Sequence, residues 1–224
     1  MFLVAENNVM RKILLSIVLS FAVVFGFAQL PFAKDIAAFK KADSVAMPAK
    51  KSILFVGSSS FTLWKDVQTY FPTYPIVNRG FGGSTLVDVI RYNAQIIQPY
   101  KAKQIVIYCG ENDFAASDTV TVDMVFERFK NLFTTVKKQN RKAQITYVSM
   151  KPSPARKHLL KKYELANALI EMYLKGFKRT AFVDVYHAML NDDGSVMTDI
   201  FGLDNLHMNA KGYAIWQKLI EPIL

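Results

Sequence analysis

The chain has 224 residues, 51% of them hydrophobic and 21% charged, a balance that excludes a disordered polymer and sets one packed domain as the prior. That length buries roughly 70% of the unfolded chain's surface, and the single cysteine, Cys109, with no Cys/His cluster at zinc spacing, excludes a disulfide scaffold or zinc module. The formal charge of +10 invites a nucleic-acid reading, but the Lys and Arg residues are scattered and lack interleaved stacking aromatics, so a solvated basic surface and no nucleic-acid partner are expected.

In chain order, Arg11-Lys12 precede an uncharged apolar run over 13–27, and Gly26-Phe27-Ala28 place small residues where a signal peptidase reads. Residues 1–28 are therefore expected to be a signal peptide, with translation starting at Met10; the run stops short of the roughly 18 apolar residues of a membrane span. The mature protein is expected to begin at Gln29, to be exported to the periplasm or the extracellular space, and to keep no stable membrane anchor. Residues 29–51 read as a leader with a short helix over 32–42, and 52–224 as the main domain.

From residue 52 onward, β-branched and aromatic runs at 53–56, 75–78, 104–109, 145–150 and 181–185 alternate with helical patterns. Phe61, Trp64, Val67 and Phe71 share one helical face; Val87, Ile90, Ala94 and Ile97 share another; Phe129, Phe133 and Val136 a third. Two more helices are predicted over 155–175 and 210–220. In the former, Arg156, Lys157, His158, Lys161 and Lys162 read as an exposed basic face. Strands this uniformly apolar suit a parallel sheet covered on both sides. The fold class is α/β, a three-layer α/β/α sandwich around a five-stranded parallel sheet of flavodoxin-like type. Ligands bind such sheets beyond the carboxyl ends of the strands.

Four segments at those ends carry chemistry. Gly57-Ser58-Ser59-Ser60 leads from the first strand into a helix, where a serine can be a nucleophile beside free backbone amides or simply a helix cap. Asn78-Arg79-Gly80-Phe81-Gly82-Gly83-Ser84 follows the second strand, and its glycines suit a tight turn as well as an oxyanion site. Gly110-Glu111-Asn112-Asp113 follows the third, and Asn112 can point an amide donor across the same edge or form an Asx turn. Asp204-Asn205-Leu206-His207 precedes the last helix. At that spacing a carboxylate reaches the imidazole Nδ1–H and leaves Nε2 free as a base.

Together these four blocks resemble the SGNH, or GDSL-type, family of esterases and acylhydrolases, over nearly the whole chain from residue 53 onward. The resemblance implies an SGNH hydrolase domain with Ser59 as nucleophile and Asp204 and His207 completing a catalytic triad. It also implies an oxyanion hole made by the Ser59 and Gly83 N–H groups and the Asn112 side chain. Ser58 stands where many members have Asp. The expected activity is hydrolysis of carboxylic esters through an acyl-enzyme, with no metal or organic cofactor, on a small-molecule, glycan or lipid ester. Short acyl groups such as acetyl on glycans are preferred over lysophospholipid or lipid deacylation, because the loops after the strands are short.

The remaining candidates read as structural. Glu111 and Asp113 are expected to support the loop, with Arg79 as an ion-pair partner. His187 falls at the rim and His158 at the surface, Cys109 is inert within a strand, and Trp64 and Trp216 belong to the core. Asp184 is the weaker alternative to Asp204 as the orienting acid. The competing function classes are a flavodoxin-like phosphate-binding module, which would have no use for the Asp204/His207 pair, and a catalytically dead glycan binder.

Overall fold

The computed structural model describes residues 30–224, so the expected signal peptide over 1–28 lies outside the described residues. Five strands, β1 (Ile53–Gly57), β2 (Ile76–Gly80), β3 (Gln104–Tyr108), β4 (Gln144–Val148) and β5 (Thr180–Val183), form one parallel sheet in the order β2-β1-β3-β4-β5. The chain winds outward from β1 to β2, then returns to β3 on the other side of β1. That reversal leaves a crevice at the carboxyl ends of β1 and β3, where Gly57 pairs with Gly80 on one side and Tyr108 on the other.

The described helices are α1 (Ala33–Val45), α2 (Ser59–Leu63), α3 (Val67–Tyr70), α4 (Leu86–Ile96), α5 (Glu111–Ala115), α6 (Val122–Gln139), α7 (Leu160–Lys175), α8 (Val185–Ala188) and α9 (Ala210–Ile220). Central strands β1 and β3 are buried throughout, as near-continuous apolar runs require. Alternation along the strands splits the core. Phe55, Val106 and Tyr108 face a cluster with Phe61, Trp64, Phe71 and Trp216. On the opposite face, Tyr147 of β4 meets Phe129 of α6 with ring centroids 4.9 Å apart. Trp64 stacks on Tyr213 of α9 at 4.7 Å, and the Tyr213 hydroxyl donates to Ser60 O at 2.8 Å, tying the last helix to the loop after β1. Both tryptophans are fully buried, as expected of core residues.

Three local expectations are corrected. The single helix expected through 61–71 is two short ones, because Asn78 Nδ2 donates to Phe61 O at 2.6 Å and Trp64 leaves helical geometry at ψ 64. In α4 the buried stripe is Leu86, Val89, Tyr92 and Ile96, while Val87 is 39% exposed. Two apolar stripes of similar spacing compete there; the Thr85/Asp88 capping box fixes where the helix starts, and packing on the sheet buries the larger stripe. Finally, 154–159 is a 3-10 segment interrupted at Arg156 (φ −116, ψ 29), and the α-helix begins at Leu160.

Candidate active site

Gly57 adopts φ +138, and a Cβ there would lie 1.8 Å from Tyr108 O, so only glycine lets β1 turn out of the sheet against β3. Ser58 N donates to Tyr108 O at 3.0 Å, and Ser58 O accepts from Phe61 N at 3.0 Å, pinning the loop on both sides. Ser59 is the first residue of α2, where its N–H has no intrahelical acceptor. Ser58 occupies the N-cap position, yet its side chain does not cap the helix. Its Oγ accepts instead from Asn112 Nδ2 at 2.6 Å.

The histidine comes from the far end of the chain. Asn205, at φ +54, turns the segment, and Asp204 Oδ1 accepts from Leu206 N at 3.0 Å and His207 N at 2.9 Å. Asp204 Oδ2 lies 2.5 Å from His207 Nδ1. The His207 N–H first, then the Leu206 N–H and the imidazole, hold the Asp204 carboxyl down at about 2. A carboxylate only accepts, so Nδ1 carries the ring proton and Nε2 presents its lone pair. That lone pair faces Ser59 Oγ at 3.1 Å, so the serine hydroxyl donates to it. Ser59, His207 and Asp204, expected together from the sequence, are in one hydrogen-bonded line.

Asn112 sits in the first turn of α5, and its amide is held at both ends. Nδ2 donates to Ser84 O at 3.0 Å as well as to Ser58 Oγ, and Oδ1 accepts from Arg156 Nη2 at 2.8 Å. A guanidinium only donates and a peptide carbonyl only accepts, so these partners fix which end of the amide is nitrogen. Gly83 adopts φ +84 in the turn closed by Ser84 N to Phe81 O at 3.3 Å. Phe81 N and Ser84 Oγ both donate to Gly57 O, at 2.9 and 3.1 Å, so this turn is fastened to the Ser59 loop. Ser59, Gly83, Asn112, Arg156 and His207 line one cleft of about 370 Å³, whose walls include Thr62, Leu63 and Leu206.

Arg156 is the site residue that sequence reasoning missed. Lys157, His158 and Lys161 do face solvent, but the Arg156 side chain is only 17% exposed and turns inward. Its Nη1 donates to Glu111 Oε2 at 3.2 Å, and Glu111 also accepts from the buried Lys151 ammonium at 3.2 Å. Pro152 and Pro154, just upstream, are the overlooked signal that this stretch is not a regular helix.

Other candidates lie outside this constellation. Asp184 bonds His187 Nδ1 at 2.7 Å and so does not orient His207. Arg79 pairs with Asp43 of α1 rather than with Glu111 or Asp113, and Asp113 instead pairs with Arg128 at 2.8 Å. Cys109 is buried with its Sγ 3.6 Å from Ser84 O, and burial pushes its thiol well up, away from reactivity. Among the described residues no group of His, Cys, Asp and Glu is placed to hold a metal ion.

The profile of the GDSL-like Lipase/Acylhydrolase family matches residues 56–215. A search of the curated proteins finds no match. Among solved structures, a Streptococcus pneumonia protein named for platelet activating factor superposes with a TM-score of 0.75 at 18% identity, covering 92% of this chain and 98% of that one. A GDSL-like lipase from Bacteroides thetaiotaomicron gives 0.67 at 23% identity, with 84% and 97% covered. A catalytic mutant of an acetylxylan esterase from Geobacillus stearothermophilus gives 0.62 at 15% identity, with 78% and 94% covered. At these identities the structural likenesses establish the shared fold.

Proposed function

Because the chain belongs to the GDSL-like lipase/acylhydrolase family and is an ester-bond hydrolase, we propose that Ser59, His207 and Asp204 hydrolyse short acyl esters, such as acetyl groups on glycans, through an acyl-enzyme. The observation that carries this reading is the 3.1 Å contact from Ser59 Oγ to His207 Nε2, with Asp204 behind the ring. His207 takes the serine proton as Oγ attacks the ester carbonyl, and Asp204 stabilises the imidazolium that forms. His207 then protonates the departing alcohol, and water repeats the cycle on the acyl-enzyme.

The oxyanion is received by the Ser59 and Gly83 N–H groups and by Asn112. Both Asn112 amide hydrogens are engaged at rest, one on a peptide carbonyl and one on the neutral Ser58 hydroxyl. An alkoxide is the stronger acceptor, so the oxyanion takes over the hydrogen held by Ser58. In this scheme Ser58 keeps the donor aimed at the cleft between turnovers.

A cleft of about 370 Å³ supports a small acyl group, being at the lower end of the usual range for ligand sites. The apolar run at 13–27 behind Arg11-Lys12 supports export. A second reading, deacylation of lipids, is favoured by Leu63, a cleft residue 45% exposed, and by the fully exposed Leu203 beside Asp204. Initial rates on p-nitrophenyl esters of increasing chain length, run beside acetylated xylo-oligosaccharides, separate the two. A maximum at acetate with release of acetate from the oligosaccharide supports the first, and a rate that climbs with chain length supports the second.

A further inference from the structure

The surplus Lys and Arg are dispersed in sequence, but the parallel sheet collects them. All five strands start at one edge, and the segments leading into them, 46–52, 71–75, 97–103, 140–143 and 176–179, carry eight Lys or Arg and no Asp or Glu. Lys137 and Lys138, in the last turn of α6, join them. The segments are stitched side by side: Lys51 N donates to Lys101 O at 3.2 Å, Arg179 Nη1 to Arg141 O at 3.2 Å, and Lys137 Nζ to Lys178 O. Among the described residues none of these cations forms an ion pair. Nearby carboxylates include Asp43, which accepts from the Tyr100 hydroxyl at 2.5 Å and pairs with Arg79, Glu171, which pairs with Lys175, and Glu221 in the closing turn. Carboxylates gather at the opposite edge, where Glu111, Asp113, Asp184 and Asp204 follow the strand ends.

Backbone strain marks the same edge. Lys51, Lys101 and Arg179 take φ of +63, +45 and +59, a region that glycine or asparagine enters more easily. Strained conformations that persist tend to serve function, and here each one keeps a cation in a strand-leading loop. A cleft of about 470 Å³ lies among Lys101, Lys138, Arg141 and Lys142, and another of about 330 Å³ sets Lys137 and Arg141 against Phe133 and Phe177. Met47 and Phe177, 53% and 39% exposed, place apolar side chains close in sequence to Lys50 and Lys178.

We propose that this edge is a docking face for an anionic lipid bilayer, with phosphate headgroups in the basic clefts and Met47 and Phe177 reaching into the interface. Cations interleaved with a few exposed apolar side chains suit a headgroup layer; a nucleic-acid strand would call for a row of exposed stacking aromatics, whereas Phe133, the other ring of the second cleft, is 1% exposed and offers a base no face. The strands are five residues long or fewer, about 17 Å at the usual rise, and they separate this face from the Ser59 cleft. A docked molecule therefore holds its cleft away from the membrane, toward esters above it. The inference goes beyond the ester-hydrolase reading and does not depend on it.

The test is co-sedimentation of the full chain with vesicles of phosphatidylglycerol and phosphatidylcholine, against phosphatidylcholine alone. Neutral vesicles read any contribution of the apolar 13–27 run, so the difference between compositions reads the basic face. Binding to the anionic vesicles is expected to exceed neutral binding tenfold or more and to fall steeply with added salt. The variant Lys51→Asn, Lys101→Asn, Arg141→Gln, Arg179→Asn should lose that difference while keeping p-nitrophenyl acetate hydrolysis and an equal or higher melting temperature, since three of its changes relieve strain. Equal binding to both compositions, unchanged binding by the variant, or a DNA duplex displacing the anionic vesicles would each overturn the proposal. Loss of hydrolysis by the wild type, with vesicle binding retained, would count against the catalytic reading alone.

Discussion

Arg156 Nη2 donates to Asn112 Oδ1 at 2.8 Å, and through this contact a charged side chain from beyond β4 orients an amide from beyond β3. A flipped amide would set Nδ2 against the guanidinium and Oδ1 against Ser84 O, two repulsive pairings. Arg156 is in turn held by Glu111, whose carboxylate bridges it to Lys151. The donor that the proposed mechanism aims at the oxyanion is thus set by a chain of groups, most of which touch no substrate.

Arg156→Met should lower kcat roughly tenfold or more, the equivalent of a charged hydrogen bond of about 1.5 kcal/mol, with KM on p-nitrophenyl acetate little changed. The decisive measurement is a double-mutant cycle with Asn112→Ala. If Arg156 works through Asn112, its replacement costs little more once the amide is gone; fully additive losses would mean that it acts on the substrate directly.

Asn112→Ala by itself should reduce kcat about a hundredfold or more at nearly constant KM, because an oxyanion donor acts chiefly in the transition state. A change confined to KM would reassign Asn112 to ground-state binding. Steady-state kinetics on one short ester is sufficient.

The three adjacent serines should separate cleanly. Ser59→Ala is expected to bring hydrolysis to background with an unaltered melting curve, since only its hydroxyl faces His207. Ser60→Ala should keep most activity, because Tyr213 bonds the backbone oxygen of Ser60 and not its hydroxyl. Ser58→Ala should fall between them, as it removes a partner of the Asn112 amide. Full activity in Ser59→Ala would overturn the nucleophile assignment.

Glu111→Ala should destabilise the fold by about 3–5 kcal/mol, the usual consequence of leaving a buried charge uncompensated, here the Lys151 side chain at 1% exposure. Much of that loss should return in Glu111→Ala, Lys151→Met, which removes both charges. Urea unfolding of the single and double variants compares them, and a double variant no more stable than the single would show that the pairing does not account for the loss.

The pH dependence of the Asp204 carboxyl follows from its depressed value of about 2. A folded-state value below the ordinary carboxylate range means that its contribution is present above about 3.9. That contribution is lost as the pH falls through about 2. Carboxylate carbon shifts in labelled protein should therefore show Asp204 still ionised at pH 3.5, and a midpoint near 4 would mean that the Leu206 and His207 N–H bonds are not formed in solution.

Much of the architecture was legible in the residues themselves. Apolar runs of strand length alternating with helical periodicity specify a parallel sheet, because each pattern fits only one backbone repeat. The Asp204/His207 pair was legible for the same reason: a separation of three residues in a turn makes contact a local matter. Where two local solutions were nearly equal, as for the stripes of α4, the pattern could not choose; the sheet chose by burying Leu86, Val89 and Ile96. Ser59 and His207 stand 148 positions apart, and Arg156 and Asn112 stand 44 apart. Their contacts exist only because winding from β1 outward to β2 and back to β3 brings distant loops to one edge, and the same winding gathers dispersed lysines and arginines at the other. Local pattern determines which backbone forms; partners across the fold, and the surface on which like charges meet, are set by distances that exist only after the chain has closed.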